Sequence, residues 1–175
     1  MPKALRDLDS PERDDGLIRA AFLRKIALTE DKQKRLKVLK AYARLDTRLA
    51  GKVLIEALGD PCEEIRDFLV RELGERESFD PDLAYAKLSG PPWYARSAVL
   101  RVLAARRVEG AVRHIELVLG DANADVRKCA AEALGEIGGR EALRLLVRLK
   151  KDQSPYVRLA AEEGLRKASE IKFSL

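Results

Sequence analysis

Aromatic, histidine and amide side chains are scarce in this chain, and each scarcity closes a class of fold or function. Aromatic residues make up 5% of the 175 residues, too few for a typical β-sandwich core, while 46% apolar and 36% charged residues suit packed, solvated helices. His114 is the one histidine, so no site needing two imidazoles can form, and no His-Glu step occurs. Cys62 and Cys129 do not have zinc-ligand spacing, and neither a glycine-rich phosphate loop nor a nucleophile elbow is present. The many carboxylates all have a helix-surface or capping explanation, so the expectation is a protein that is not an enzyme and carries no cofactor and no metal. No stretch approaches 18 apolar residues, and the opening MPKALRDLDSPERDD has no apolar signal core; a soluble cytoplasmic protein without membrane contact is expected. Single Asn123 and only Gln33, Gln153, Thr29 and Thr47 stand beside 34 basic and 29 acidic residues, a composition that fits a heat-adapted source or a biased genome.

What is present is a repeat. Between Asp121 and Ala168 the phrase Asp-x4-Val-Arg-x2-Ala-Ala occurs twice, at Asp121–Ala131 and from Asp152 with Glu162 in the last place, the second copy 31 residues after the first. Self-similarity at a period of roughly 20–50 residues marks a solenoid, whose units bury their apolar faces against one another. Stepping back from Arg158 and Arg127 finds Arg96, Arg66 and Arg35 at intervals of 30 or 31 residues, which gives five units. Three residues beyond each arginine stand Val38, Leu69, Val99, Ala130 and Ala161, and seven beyond stand Tyr42, Leu73, Leu103, Leu134 and Leu165. Such steps share one helix face, so these sets are the expected buried stripe of each unit's second helix.

The expected first helices run over residues 47–58, 80–88, 108–119 and 139–150, preceded by one through Leu17–Ala27. Asp60-Pro61, Asp80-Pro81 and Ser154-Pro155 are the expected caps, and Gly59, Gly74, Gly90, Gly120 and Gly138-Gly139 the expected stops. Residues 1–16 read as a tail or a short helical turn, and residues 17–175 as one all-α domain of ten helices in five antiparallel pairs. Cys62 and Cys129 fall two units apart, too far to join at roughly 10 Å per layer of helices, and read as free, partly buried thiols.

The pattern Asp-x4-Val-Arg-x2-Ala-Ala-x-Ala-Leu-Gly-x-Ile-Gly, best matched by Asp121–Gly138 and next by 152–168, resembles the short HEAT-like repeat of the bilin-lyase type. The second and third units are degenerate, and Gly90-Pro91-Pro92-Trp93-Tyr94-Ala95-Arg96 lacks the aspartate. The resemblance implies a right-handed α-solenoid with the second helices on its concave face. It also implies that the recurrent Asp caps its helix while the Arg reaches the Asp of the next layer, so these residues are structural. Other arrays of this kind include glycosylases of alkylated DNA bases and metal-dependent hydroxylases. The single Trp and short length speak against the first, and the absent His-Glu pairs against the second.

Two surfaces stand out for binding. Five residues after each register arginine come Lys40, Arg71, Arg101, Glu132 and Glu163, an expected exposed column that is basic over three units and acidic over two. Such a column orients a partner of opposite pattern, although exposed helix positions are commonly charged in any case. Residues 17–52 hold a net charge of +8 against −6 over 53–90, and Lys34, Lys37, Lys40 and Arg44 lie near one face of one helix. That stripe suits an acidic protein or the phosphates of nucleic acid, the acidic second unit interrupting any track along a duplex. Trp93 and Tyr94 are aromatic anchor candidates, with a packing role in a rigid turn as the alternative. The function expected is a scaffold or adaptor for a macromolecular partner. A protein partner is favoured; nucleic-acid binding through the basic first units, or a bilin-lyase-like chaperone role, is the alternative. Oligomeric state is not encoded in any of these features.

Overall fold

The register arginines fall on five consecutive second helices, which stack in one layer. A computed structural model describes Ala21, Arg24, Ile26 and residues 29–172. Its α-helices are α1 (Lys32–Ala43), α2 (Arg48–Glu56), α3 (Glu63–Glu75), α4 (Pro81–Lys87), α5 (Trp93–Ala105), α6 (Val112–Glu116), α7 (Ala124–Ile137), α8 (Gly139–Leu149) and α9 (Pro155–Lys172), and no strand occurs among the described residues. Helices α1, α3, α5, α7 and α9 pack each on the next, and α2, α4, α6 and α8 form the second layer beside them. The chain is an all-α solenoid. Ala21, Arg24 and Ile26 are helical, and the rest of the expected first helix and the 1–16 tail lie outside the described residues.

One continuous apolar core runs between the layers. Leu69, Val99, Ala130 and Ala161 are fully buried, as are Leu73, Leu103 and Leu134, while Tyr42 and Leu165 at the two ends are half-buried. Val38 departs from the expected stripe: it is 38% exposed, and Leu36 and Leu39 take the buried positions of α1. Among the described residues α1 has a second-helix neighbour on one side only, so the position that faces a preceding layer elsewhere faces solvent here. Cys62 and Cys129 are free thiols, both half-buried, and burial pushes the Cys129 thiol above its ordinary range.

Several boundaries differ from the sequence expectation. Asp80 accepts from the Leu83 N–H with Pro81 opening α4, as expected, and Pro155 opens α9. Asp60 is not a cap. Cys62 occupies that position, and the Asp60 carboxylate instead accepts the Cys62 N–H at 2.8 Å. Asp121 and Asp152 likewise accept the N–H two residues on, from Asn123 and Ser154, and Asn123 is the residue that caps α7. The recurrent aspartate therefore closes the turn before the helix rather than capping the helix. Gly74 lies inside α3 rather than after it. Gly138 does end α7, its φ of 73° lying in the left-handed region that favours glycine. The expected 108–119 helix is a 3-10 turn at Glu109–Ala111, the short α6, and turns to Gly120. Gly110 and the β-branched Val108, Val112, Ile115 and Val118 are weak helix formers, and they leave little to hold a longer one.

Candidate functional site: the exposed face of the second helices

Each register arginine first satisfies its own turn. Nη1 of Arg35, Arg66, Arg96, Arg127 and Arg158 donates to the carbonyl six residues back: Thr29, Asp60, Gly90, Asp121 and Asp152. This fixes the guanidinium plane. Nε and Nη2 then point at the next unit, where Arg35 takes Asp60 at 2.8 and 3.1 Å, Arg96 takes Asp121 at 2.7 and 3.0 Å, and Arg127 takes Asp152 at 2.8 and 2.9 Å. Each acceptor lies 25 residues after its donor, so three rungs of a ladder join consecutive layers as the resemblance implied.

The rungs are well covered, and the carboxylates respond. The Arg127 hydrogen bond holds the Asp152 carboxyl below its ordinary value of 3.8 against the opposing effect of burial. Burial pushes Asp121 upward, but the Arg96 hydrogen bond and the Asn123 N–H outweigh it, and the net shift is again downward. A carboxyl depressed in the folded state stabilises fully above its unfolded value, and the contribution is lost as pH falls through the folded value. Stability is therefore expected to be level from pH 7 to about 5 and to fall steeply below the 3.8 region. Urea midpoints at a series of pH values check this, and Asp152→Asn should make the fall shallower.

The rung between the second and third units is missing. Twenty-five residues after Arg66 stands Pro91, which has no carboxylate, and the Tyr94 ring lies against the Arg66 guanidinium at 4.6 Å instead. Trp93 meets Tyr94 edge-on, centroids 5.8 Å apart at 74°, and stays 41% exposed at the start of α5. The two aromatic candidates thus separate into a half-buried ring that packs on a guanidinium and an exposed one beside it.

The column of charges is exposed at all five positions, on successive stacked helices. Its members differ in how free they are. Arg101 reaches across to Asp67 on α3 at 2.7 Å, Glu132 pairs with Lys128 on its own helix at 2.5 Å, and Glu163 pairs with Arg166 at 2.6 Å. Lys40 lies over the Phe68 ring with Nζ at 5.8 Å, and no carboxylate approaches Arg71 within 4 Å among the described residues. The uncompensated charge on this face is therefore the basic end. Lys34, Lys37 and Arg44 are exposed alongside it and, among the described residues, carry no ion pair.

Two arginines with a role were not singled out by the repeat phrase. Arg76 is buried and donates to the carbonyls of Ala43 and Leu45 at the end of α1, with Asp46 at 3.6 Å; Arg106 donates to Leu73, Gly74 and Arg76 carbonyls at the end of α3 while covering Phe79 at 4.5 Å. Each satisfies orphan carbonyls of the preceding second helix. The available signal was their shared place ten residues after Arg66 and Arg96. His114, half-buried, stacks flat on Tyr85 with centroids 3.9 Å apart, a packing role.

Among the described residues no helix is long and apolar enough to cross a membrane. Residues 81–166 match the family model described as HEAT repeats. No curated protein matches the chain at a significant level.

Proposed function

Because the chain is a HEAT-like repeat protein, we propose that it is a non-enzymatic scaffold or adaptor that binds a protein partner along the exposed, concave face of its second helices. HEAT repeats are commonly protein-interaction scaffolds, and the observation that carries the reading here is the exposed column. Lys40, Arg71, Arg101, Glu132 and Glu163 occupy the same step on five stacked helices, with bare positive charge at one end and paired acids at the other. In this reading Lys37, Lys40, Arg44 and Arg71 steer an acidic partner surface, Arg101, Glu132 and Glu163 set its direction, and Trp93 and Tyr94 supply aromatic contact area. A rigid array orders little on binding, which favours affinity for the area buried.

The test is association of a partner captured from native lysate, followed against salt for the wild type and for Lys40→Glu with Arg71→Glu. Charge reversal at steering positions should slow association about tenfold or more at low salt, with a weaker salt dependence. Unchanged kinetics would sink the choice of face. A second reading, nucleic-acid binding, draws on the four exposed basic residues Lys34, Lys37, Lys40 and Arg44 of the first unit. It requires a log affinity for mixed-sequence single or double strands that falls steeply with log salt and collapses on reversal of Lys34 and Lys37.

A further inference from the structure

We infer that the vacant rung at Arg66 is a carboxylate-binding site, which receives an aspartate or glutamate side chain from an acidic segment of a protein partner, with Trp93 and Tyr94 as its aromatic wall. The inference rests on the reading of the chain as a protein-binding scaffold and names one chemical feature of what it binds. Its basis is internal. At Arg35, Arg96 and Arg127 the Nε and Nη2 edge of the guanidinium takes a carboxylate in a two-point grip, with distances from 2.7 to 3.1 Å. Arg66 is oriented by the same device, Nη1 donating to the Asp60 and Pro61 carbonyls at 2.8 Å each. Its Nε and Nη2 edge meets no acceptor among the described residues, because Pro91 occupies the place that Asp60, Asp121 and Asp152 hold in the other rungs.

Neighbouring carboxylates do not compensate. Glu64 is taken by Lys32 at 3.1 Å and Asp67 by Arg101 at 2.7 Å. Tyr94 covers one face of the guanidinium, which holds the fork in place while leaving its edge for a planar, bidentate acceptor. Trp93, exposed beside it, adds an apolar surface against which the stem of an acidic side chain or its neighbour packs. A carboxylate is favoured over a backbone phosphate because the same edge grips carboxylates three times in this fold.

Trp93 is the single tryptophan of the chain and lies within the site, so its emission reports occupancy. The probe is a capped hexa-aspartate peptide, with hexa-asparagine as the uncharged comparison. The aspartate peptide should give a saturable change in Trp93 emission that the asparagine peptide does not, and Lys151→Glu, an exposed position in the turn after α8, should leave that response unchanged. Arg66→Gln should weaken binding about tenfold or more, the range expected for losing hydrogen bonds to a charged group. Arg66→Lys keeps the charge without the fork and should also weaken it. Pro91→Asp is the decisive variant: it supplies the missing carboxylate from within, so it should raise the melting temperature and abolish the peptide response in a folded protein. No saturable response, an undiminished response in Arg66→Gln or Pro91→Asp, or tighter binding of a single-stranded oligonucleotide at the same site would overturn the inference. A natural partner sensitive to Lys40 and Arg71 but indifferent to Arg66 would leave the scaffold reading standing and remove this one; the converse would keep the site and remove the proposed face.

Discussion

Asp152→Ala should lower the stability of the fold by about 3–5 kcal/mol, far more than an ordinary surface ion pair is worth. The difference lies in what remains behind. Arg127 is only 4% exposed, and its Nη1 is tied to the Asp121 and Ala122 carbonyls, so it cannot swing into water when its carboxylate is removed. The substitution would leave a buried cation with two unsatisfied N–H groups on the seam between the fourth and fifth units. It would also open the turn that Asp152 closes through the Ser154 N–H. The reverse experiment isolates the cause: Arg127→Met combined with Asp152→Ala removes both charges and should recover much of the loss, since an apolar replacement of a buried pair is often neutral. Urea denaturation of the two variants provides the measurement. A loss under about 1 kcal/mol for Asp152→Ala would mean that the rung behaves as an exposed pair.

The same ladder explains what could be read from the sequence. The arginine and aspartate recur at fixed spacing because each rung repeats one geometry, and their partnership across layers was implied by the resemblance to the short HEAT-like repeat. The buried positions of the last four second helices, except the half-buried Leu165, and the exposure of Lys40, Arg71, Arg101, Glu132 and Glu163 were legible from spacing. What escaped the pattern is what a single copy decides. The burial of Val38 depends on a neighbouring layer rather than on its own helix, and the replacement of a rung by the Arg66–Tyr94 contact depends on one loop. Asp60 looked like a cap because it precedes a proline, but its carboxylate is already committed to Arg35 and the Cys62 N–H, and the helix begins later. Arg76 and Arg106 close the ends of α1 and α3 from a position occupied by arginine in only two units, too few for a period to reveal. For the proposed binding face, sequence located the charges but not their pairing; Glu132 and Glu163 are neutralised by Lys128 and Arg166, and this moves the weight of the surface to its basic end.

Gly135→Ala should destabilise the fold by about 1–3 kcal/mol, although alanine is the better helix former by roughly 1 kcal/mol. The sign is decided where α7 crosses α9. A Cβ on Gly135 would lie 2.5 Å from the Gly164 Cα, 3.2 Å from its carbonyl oxygen and 3.3 Å from its carbonyl carbon, all backbone atoms that cannot move without displacing a whole helix. Gly164 faces the same constraint from the other side, with the Leu146 Cδ2 at 2.8 Å and the Ala131 oxygen at 3.0 Å. Two glycines in register thus let two helices approach more closely than side chains permit, and Leu134, Leu145 and Leu146 around them are fully buried. Gly135→Leu should cost more than Gly135→Ala. Gly120→Ala, whose Cβ would meet nothing within 4 Å, should stay within about 0.5 kcal/mol of the wild type. For a chain of this size a loss of about 1–3 kcal/mol is a fall of roughly 2–12 °C in melting temperature, well resolved by thermal unfolding. A Gly135→Ala protein as stable as the wild type would mean that α7 and α9 part without cost, and that the Arg127–Asp152 rung rather than the helix crossing holds the last unit in place.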